Sequence, residues 1–251
     1  MRSLVRSVSP NFANALCATP PDPPIDVELA RAQHTDYQIT LMEFGHTVRS
    51  LAASDDPDCC FVEDTAVVAD DVALITRPGA PSRRAETAMI ADTLAGDVEI
   101  VRMEAPATLD GGDVMRVGRT MFVGRSSRTN AEGILRLAEV FEPRGFRVIP
   151  VDMPKGVLHL KSVCAPLGTD RITLADGSIP HDAFPDVHVL RVPWTETYAA
   201  NVLFLDGAVI CAAGFPRAYE ALCAAGFEVA LQDTSEFRKA DGALTCLSIP
   251  F

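Results

Sequence analysis

A surplus of basic residues is missing from this chain. Lysine and arginine total 22 against 34 aspartates and glutamates, a net charge of −12. Without a basic footprint, nucleic acid and anionic membrane surfaces are disfavoured as partners. Long apolar runs are also missing, and nothing approaches the roughly 20 residues that a membrane-spanning helix needs. The opening stretch is broken by Arg6, Ser7, Ser9, Pro10 and Asn11, so it lacks the continuous apolar segment of a secretory signal. The cysteines (Cys17, Cys59, Cys60, Cys164, Cys211, Cys223 and Cys246) form no Cys-x-x-Cys pair and no Cys/His cluster at metal-ligand spacing. Their odd number speaks against a disulfide framework, and a reduced, cytoplasmic protein is expected, with most cysteines serving as small core residues. No Walker lysine follows Gly111-Gly112, and a strand rather than a helix is expected next, so no phosphate loop is expected there.

What remains is an ordinary globular composition, 48% apolar and 22% charged over 251 residues, enough for one good core and read as one domain spanning 1–251. One unit recurs at a period near 45 residues: two short strands, a loop, a helix and a third strand. The first copy takes strands Phe61–Val68, Val72–Thr76 and Val98–Met103 with a helix over Glu86–Leu94. The second takes Val114–Val117, Thr120–Val123 and Phe146–Val151, with a helix over Ala131–Phe141. A third, weaker copy covers Leu158–Ala165, Arg171–Ala175 and Val187–Val192 without an obvious helix. In the fourth, Val202–Leu205 and Ala208–Cys211 flank Asp206-Gly207, a hairpin signal, and Pro216–Ala225 and Phe227–Leu231 complete it. A helix over Ile25–Phe44 and strands at Leu4–Val8, Thr47–Leu51 and Leu244–Ile249 make a fifth. Such a unit cannot bury its strands alone, so the copies must pack on one another. A closed ring of αβ modules is expected rather than an open α/β sheet, because tight turns between paired short strands mean antiparallel hairpins, not parallel crossovers.

Several residues stand out against that background, each beside a blander role. Glu63 and Asp64 follow Phe61-Val62 and precede Ala66-Val67-Val68. Carboxylates in so apolar a run are expensive unless paired or bound to a cation. Asp113, taken alone, reads as a solvated strand end. Gly111-Gly112 either brings backbone close to something or supplies positive φ. His159 lies among Val157, Leu158 and Leu160, where a core histidine is the commoner outcome; His34, His46, His181 and His188 read as structural or surface. Cys246 follows the turn at Asp241-Gly242, and a cysteine with a distant histidine and a carboxylate is the constellation of thiol nucleophiles. Seven cysteines nevertheless make a chance match easy. Arg83 and Arg128 occupy comparable loops in the first two copies, ahead of a helix whose dipole disfavours a cation; a bidentate grip on a carboxylate explains them better than a surface role.

Together, DCCFVEDTAVV (58–68), LITRPGAPSRR (74–84), ATLDGGDVM (107–115), FVGRSSRTN (122–130), GVLHLKSVC (156–164) and DGALTCLS (241–248) resemble the dimethylarginine dimethylaminohydrolases of the guanidine-modifying pentein superfamily. The stretches come in family order and span the chain from Asp58 to Ser248. The resemblance implies a five-bladed αβ-propeller with its site in the central channel, without metal or other cofactor. It implies Cys246 as nucleophile, His159 as general acid and base, and Asp110 as the carboxylate partnered with the histidine and guanidinium. Glu63 and Asp64 would receive the guanidinium, Arg83 and Arg128 the carboxylate, and Asp58 with the Leu16 carbonyl the α-amine; Ala240 joins the substrate-binding set. As neighbours on a strand, Glu63 and Asp64 should leave on opposite faces, so that only one reaches the guanidinium directly while the other supports it or faces another part of the channel. The implied reaction cuts methylated arginine to citrulline and an amine through a covalent thiouronium. Arginine deimination, amidino transfer and non-catalytic binding of arginine-like ligands are the alternatives. The only expected partner is a small cationic substrate, and the chain is expected to be a monomer or homodimer.

Overall fold

Five times along the chain the same three-stranded sheet recurs, and each is built alike. A computed structural model describes all residues from Met1 to Phe251. In the first unit Ala66–Ala69 and Val72–Ile75 pair antiparallel, helix Thr87–Leu94 crosses over, and Glu99–Arg102 returns parallel to the middle strand. The second repeats this with Val114–Val117, Thr120–Arg125, helix Ala131–Phe141 and Arg147–Asp152. The third uses Cys164–Pro166, Arg171–Ala175 and His188–Val192, with a 3-10 turn at His181–Ala183 in place of the helix. The fourth uses Leu203–Leu205, Ala208–Ala212, helix Pro216–Ala224 and Glu228–Gln232. The fifth joins the two chain ends. Ile249–Pro250 pairs antiparallel with Arg2–Arg6, and helix Val27–Glu43 leads to the parallel Thr47–Leu51. The fold is a five-bladed αβ-propeller, as the repeat pattern anticipates.

Local chemistry explains these elements. Asp206 and Gly207 both take positive φ (46° and 102°), the geometry that suits the right-handed twist of a hairpin. Asn130 accepts from the Gly133 amide at 2.8 Å and starts its helix, which buries Ile134, Leu137, Val140 and Phe141 at helical spacing. Burial is shared between neighbouring blades. Val67 and Leu74 pack with Met121, Val123 and Leu137 of the next blade, and Leu4 and Ile249 of the fifth pack with Ala73, Ile75 and Ile90 of the first. Each blade hides its apolar face only when its neighbour is present. No helix is long and apolar enough to cross a membrane.

Three segments depart from the strand pattern expected of them. Phe61–Val68, Leu158–Ala165 and Leu244–Ile249 each begin with a 3-10 turn, at Val62–Thr65, Leu160–Ser162 and Leu244–Leu247. A run buried on all sides carries no hydrophobic period, so turn and strand read alike. Similar turns occupy Gly111–Asp113 and Trp194–Ala200. Every blade thus has such a turn just before its first strand, and the turns pack side by side around the axis. Smaller shifts occur elsewhere: the first strand is Arg2–Arg6 rather than Leu4–Val8.

Candidate active site

The ring of turns gathers the chemistry. Cys246, His159, Asp64, Asp58, Arg83, Arg128, Leu16 and Ala240 line one small cavity of about 30 Å³, together with Leu158 and the Asp241-Gly242 turn. A cavity of about 550 Å³ lies at the other end of the ring, and Glu63 and Lys161 face it. We place the chemistry in the smaller cavity, because the titratable cluster and the thiol face it.

His159 is set by three carboxylates. Its Nε2 lies 3.0 Å from Asp110 Oδ2, and the Gly79 amide donates to Asp110 Oδ1 at 2.8 Å. Asp113 is fully buried, not a solvated strand end: it accepts from Ser126 Oγ (2.5 Å), Thr129 Oγ1 (2.6 Å) and the Leu160 amide (3.0 Å). It therefore pins the backbone next to His159. Burial alone pushes the imidazole's pKa down, but the charge of Asp64, the bond to Asp110 and the charge of Asp113 outweigh it and raise it to about 9. The Gly-Gly pair provides close approach. A Cβ on Gly111 would sit 2.0 Å from the Glu63 carbonyl, and one on Gly112 would sit 2.8 Å from His159 Nδ1 and 2.9 Å from Asp64 Oδ1.

Glu63 and Asp64 part company at their turn. Asp64 Oδ1 accepts from the Gly112 amide (2.9 Å) and Oδ2 from Arg83 (2.5 Å). Burial opposes its ionisation, yet the charges of His159 and Arg83 hold its pKa down at about 2. Glu63 faces the opposite way, as expected of the pair, although a 3-10 turn rather than a strand separates them. One of its oxygens takes Lys161 and the other takes Thr245 Oγ1 at 2.8 Å. Arg83, expected to hold a substrate carboxylate, spends nearly all its donors inside the protein, on Asp64, Glu86 and the Phe61 carbonyl. It shapes the wall around Asp64 and Asp58. Sequence reading passed over Lys161, Thr245 and Asn201, although HLKS and LTCL place Lys161 and Thr245 within two residues of His159 and Cys246. Cys246 is held well above the usual thiol range by burial and by the charges of Glu63 and Asp64.

Arg128 remains available. Its side chain is 22% exposed and lies 3.7 Å from Asp110 Oδ2. The loop carrying Leu16 closes over the mouth: the Leu16 amide donates to Asp58 (3.1 and 3.3 Å) and the Ala18 amide to Asp241 (2.5 Å). Asp64, Asp110 and His159 also bring one ligand atom each within 4.8 Å of one another. Arg83 on Asp64 and Arg128 beside Asp110 already supply positive charge there, which disfavours a metal cation. A thiol, a charged histidine, an ionised carboxylate and a free arginine around one pocket suit nucleophilic attack on a cationic carbon whose substrate also bears an anion.

A family model described as arginine deiminase matches residues 54–191. The N(G),N(G)-dimethylarginine dimethylaminohydrolase of Streptomyces coelicolor is 41% identical over 251 residues, covering 99% of this chain and 96% of that protein. The protein of that name from Pseudomonas aeruginosa is 38% identical over 231 residues, 90% of each chain. The solved structure of the Pseudomonas aeruginosa enzyme, a cysteine-to-serine mutant complexed with citrulline, superposes with a TM-score of 0.94 at 35% identity, covering 100% of this chain and 98% of that one.

Proposed function

The chain belongs to the dimethylarginine dimethylaminohydrolase family, and from that premise we propose that it hydrolyses Nω-methylated arginines to citrulline and methylamine or dimethylamine, with Cys246 as nucleophile. The observation that carries this assignment is the meeting of Cys246, His159 and Asp64 in one buried pocket, with Asp110 at 3.0 Å behind the histidine.

The chemistry follows from the protonation states. At rest His159 is an imidazolium and Cys246 a thiol. The guanidinium enters against Asp64. Its charge beside the sulfur stabilises the thiolate, and the thiol proton passes to water. The thiolate attacks the guanidinium carbon and forms a C–S bond. His159 gives its proton to the dimethylated nitrogen, the C–N bond breaks and neutral dimethylamine leaves. Dimethylamine takes up a proton from water and balances the one released by the thiol. The S-alkylthiouronium stays on Cys246. Neutral His159 then takes a proton from water as the oxygen attacks, the C–S bond breaks as the new hydroxyl gives up its proton to the departing sulfur, and citrulline leaves behind a thiol and an imidazolium, the resting state. Arg128 holds the substrate carboxylate and Asp58 its ammonium, while Asp110 keeps the imidazole oriented. Glu63 and Arg83 support the wall rather than touch the reacting carbon.

Incubation with asymmetric dimethylarginine, monomethylarginine and arginine, each followed by colorimetric citrulline measurement, tests this function. Citrulline from the methylated substrates is expected. Tight binding without turnover would make the protein a binder, and an equal or greater kcat/KM on arginine would make it a deiminase.

A further inference from the structure

Behind the pocket, four side chains close a circuit that no step of the mechanism uses. Asn201 is 2% exposed and ends the turn of the fourth blade. Its Nδ2 donates to the Lys161 carbonyl (2.8 Å) and to Thr245 Oγ1 (3.0 Å), and its Oδ1 accepts from the Thr245 amide (3.1 Å). Thr245 Oγ1 passes its own proton to Glu63 (2.8 Å), whose other oxygen takes the Lys161 ammonium. Both Asn201 amide protons and the Thr245 hydroxyl proton find acceptors inside the circuit. It ties the turns of the first, third, fourth and fifth blades.

Three members adjoin the reacting groups. Glu63 precedes Asp64, Thr245 precedes Cys246, and Lys161 lies two residues past His159. Asn201 has no such neighbour and does not line the pocket. Resting on the function proposed above, we infer that Asn201 is a positioning residue: through Thr245 and Lys161 it fixes the spacing between the nucleophile turn and the histidine turn. Few side chains of this size offer a donor and an acceptor in one plane. Aspartate keeps the acceptor for the Thr245 amide but sets an oxygen against the Lys161 carbonyl. Valine at position 245 keeps the shape and the amide but removes the hydroxyl that links Asn201 to Glu63.

The His159 proton must reach a nitrogen bound to the carbon that Cys246 attacks, so a small relative displacement of the two turns costs turnover more than binding. A shift of about 1 Å is worth roughly a hundredfold in rate. The experiment measures kcat and KM for asymmetric dimethylarginine in Asn201→Asp, Thr245→Val and Thr245→Ser. Rates are normalised to the Cys246 thiol counted by alkylation and peptide mass spectrometry, with Tm recorded alongside. We expect kcat per thiol to fall about a hundredfold in Asn201→Asp and about tenfold in Thr245→Val, with KM within about threefold. Thr245→Ser, which restores the hydroxyl, should return to within about threefold of the parent. The loss should shrink on an analogue carrying methylthiol in place of dimethylamine, because that leaving group needs no proton. Unchanged kcat per thiol in Asn201→Asp and Thr245→Val overturns the inference, whatever Tm does. If Asn201→Asp fails to fold, the Thr245 pair decides by the same criterion. A parent that releases no citrulline would overturn the function itself, and is distinguishable from active parent with equally active variants.

Discussion

At the scale of single residues, the proposed first half of the reaction turns on the charge of His159. Its pKa is raised to about 9, so it is an acid at neutral pH. His159→Gln should lower turnover by about a hundredfold or more, because amide cannot protonate the leaving nitrogen; turnover within a few-fold of the parent would return His159 to an ordinary core role. The same shift bears on stability. A group whose folded pKa exceeds its unfolded 6.5 stabilises fully below pH 6.5, and that stabilisation fades as pH rises through about 9. Melting curves of parent and His159→Gln from pH 6 to 10 should therefore converge with rising pH; a constant gap would contradict the charge assignment. Cys246 is a thiol at rest, so a neutral alkylating reagent should react slowly at pH 7 and faster with rising pH, and a reagent carrying an amidinium should react faster than its neutral analogue at pH 7. Arg128→Ala should chiefly raise KM, the loss of a charge-assisted pair being worth about 2–5 kcal/mol. Bare methylguanidine, which lacks the carboxylate, should react as before. An equal loss on both would make Arg128 structural.

At the scale of elements, the 3-10 turns hold the site, and they are where sequence reading was least complete. Hairpin and helix signals such as Asp206-Gly207 and the spacing of Ile134, Leu137 and Val140 were plain, because turn chemistry and periodicity are local. The turns beginning at Val62, Leu160 and Leu244 were hidden inside apolar runs that read as strands. The split of Glu63 from Asp64, expected from strand alternation, is made by such a turn instead, and the burial of Asp113 under the histidine segment follows from another. Partners such as Lys161 and Asn201 lie far from Glu63 and Thr245 in sequence, and nothing local announces them. Gly112 had a legible signal without a legible reason. Gly112→Ala should fold but lose kcat by about a hundredfold, since its Cβ would displace His159 or Asp64; near-normal kcat would show that the turn yields instead. The loop carrying Leu16 is held by Asp58 and Asp241 beside the small cavity.

At the scale of the whole molecule, a ring whose chain ends meet in one blade keeps five turns in register, and the pocket inherits its geometry from that closure. The acidic surface suits a cationic substrate, although its charge reports on solubility as well. Selectivity comes from acceptors. Glu63 faces away, and Asp110 (His159 and Gly79) and Asp64 (Arg83 and Gly112) each already hold a partner on both oxygens, so few acceptor positions remain for the guanidinium. Arginine would bury more N–H donors than the pocket can accept, each unmet donor costing about 1–3 kcal/mol. The most direct measurement is kcat/KM for citrulline release from asymmetric dimethylarginine and from arginine, in the parent and in Cys246→Ser of verified fold. The mechanism predicts at least about tenfold preference for the methylated substrate and no turnover by the serine variant. Citrulline formed at a near-parental rate without the Cys246 thiol would contradict it.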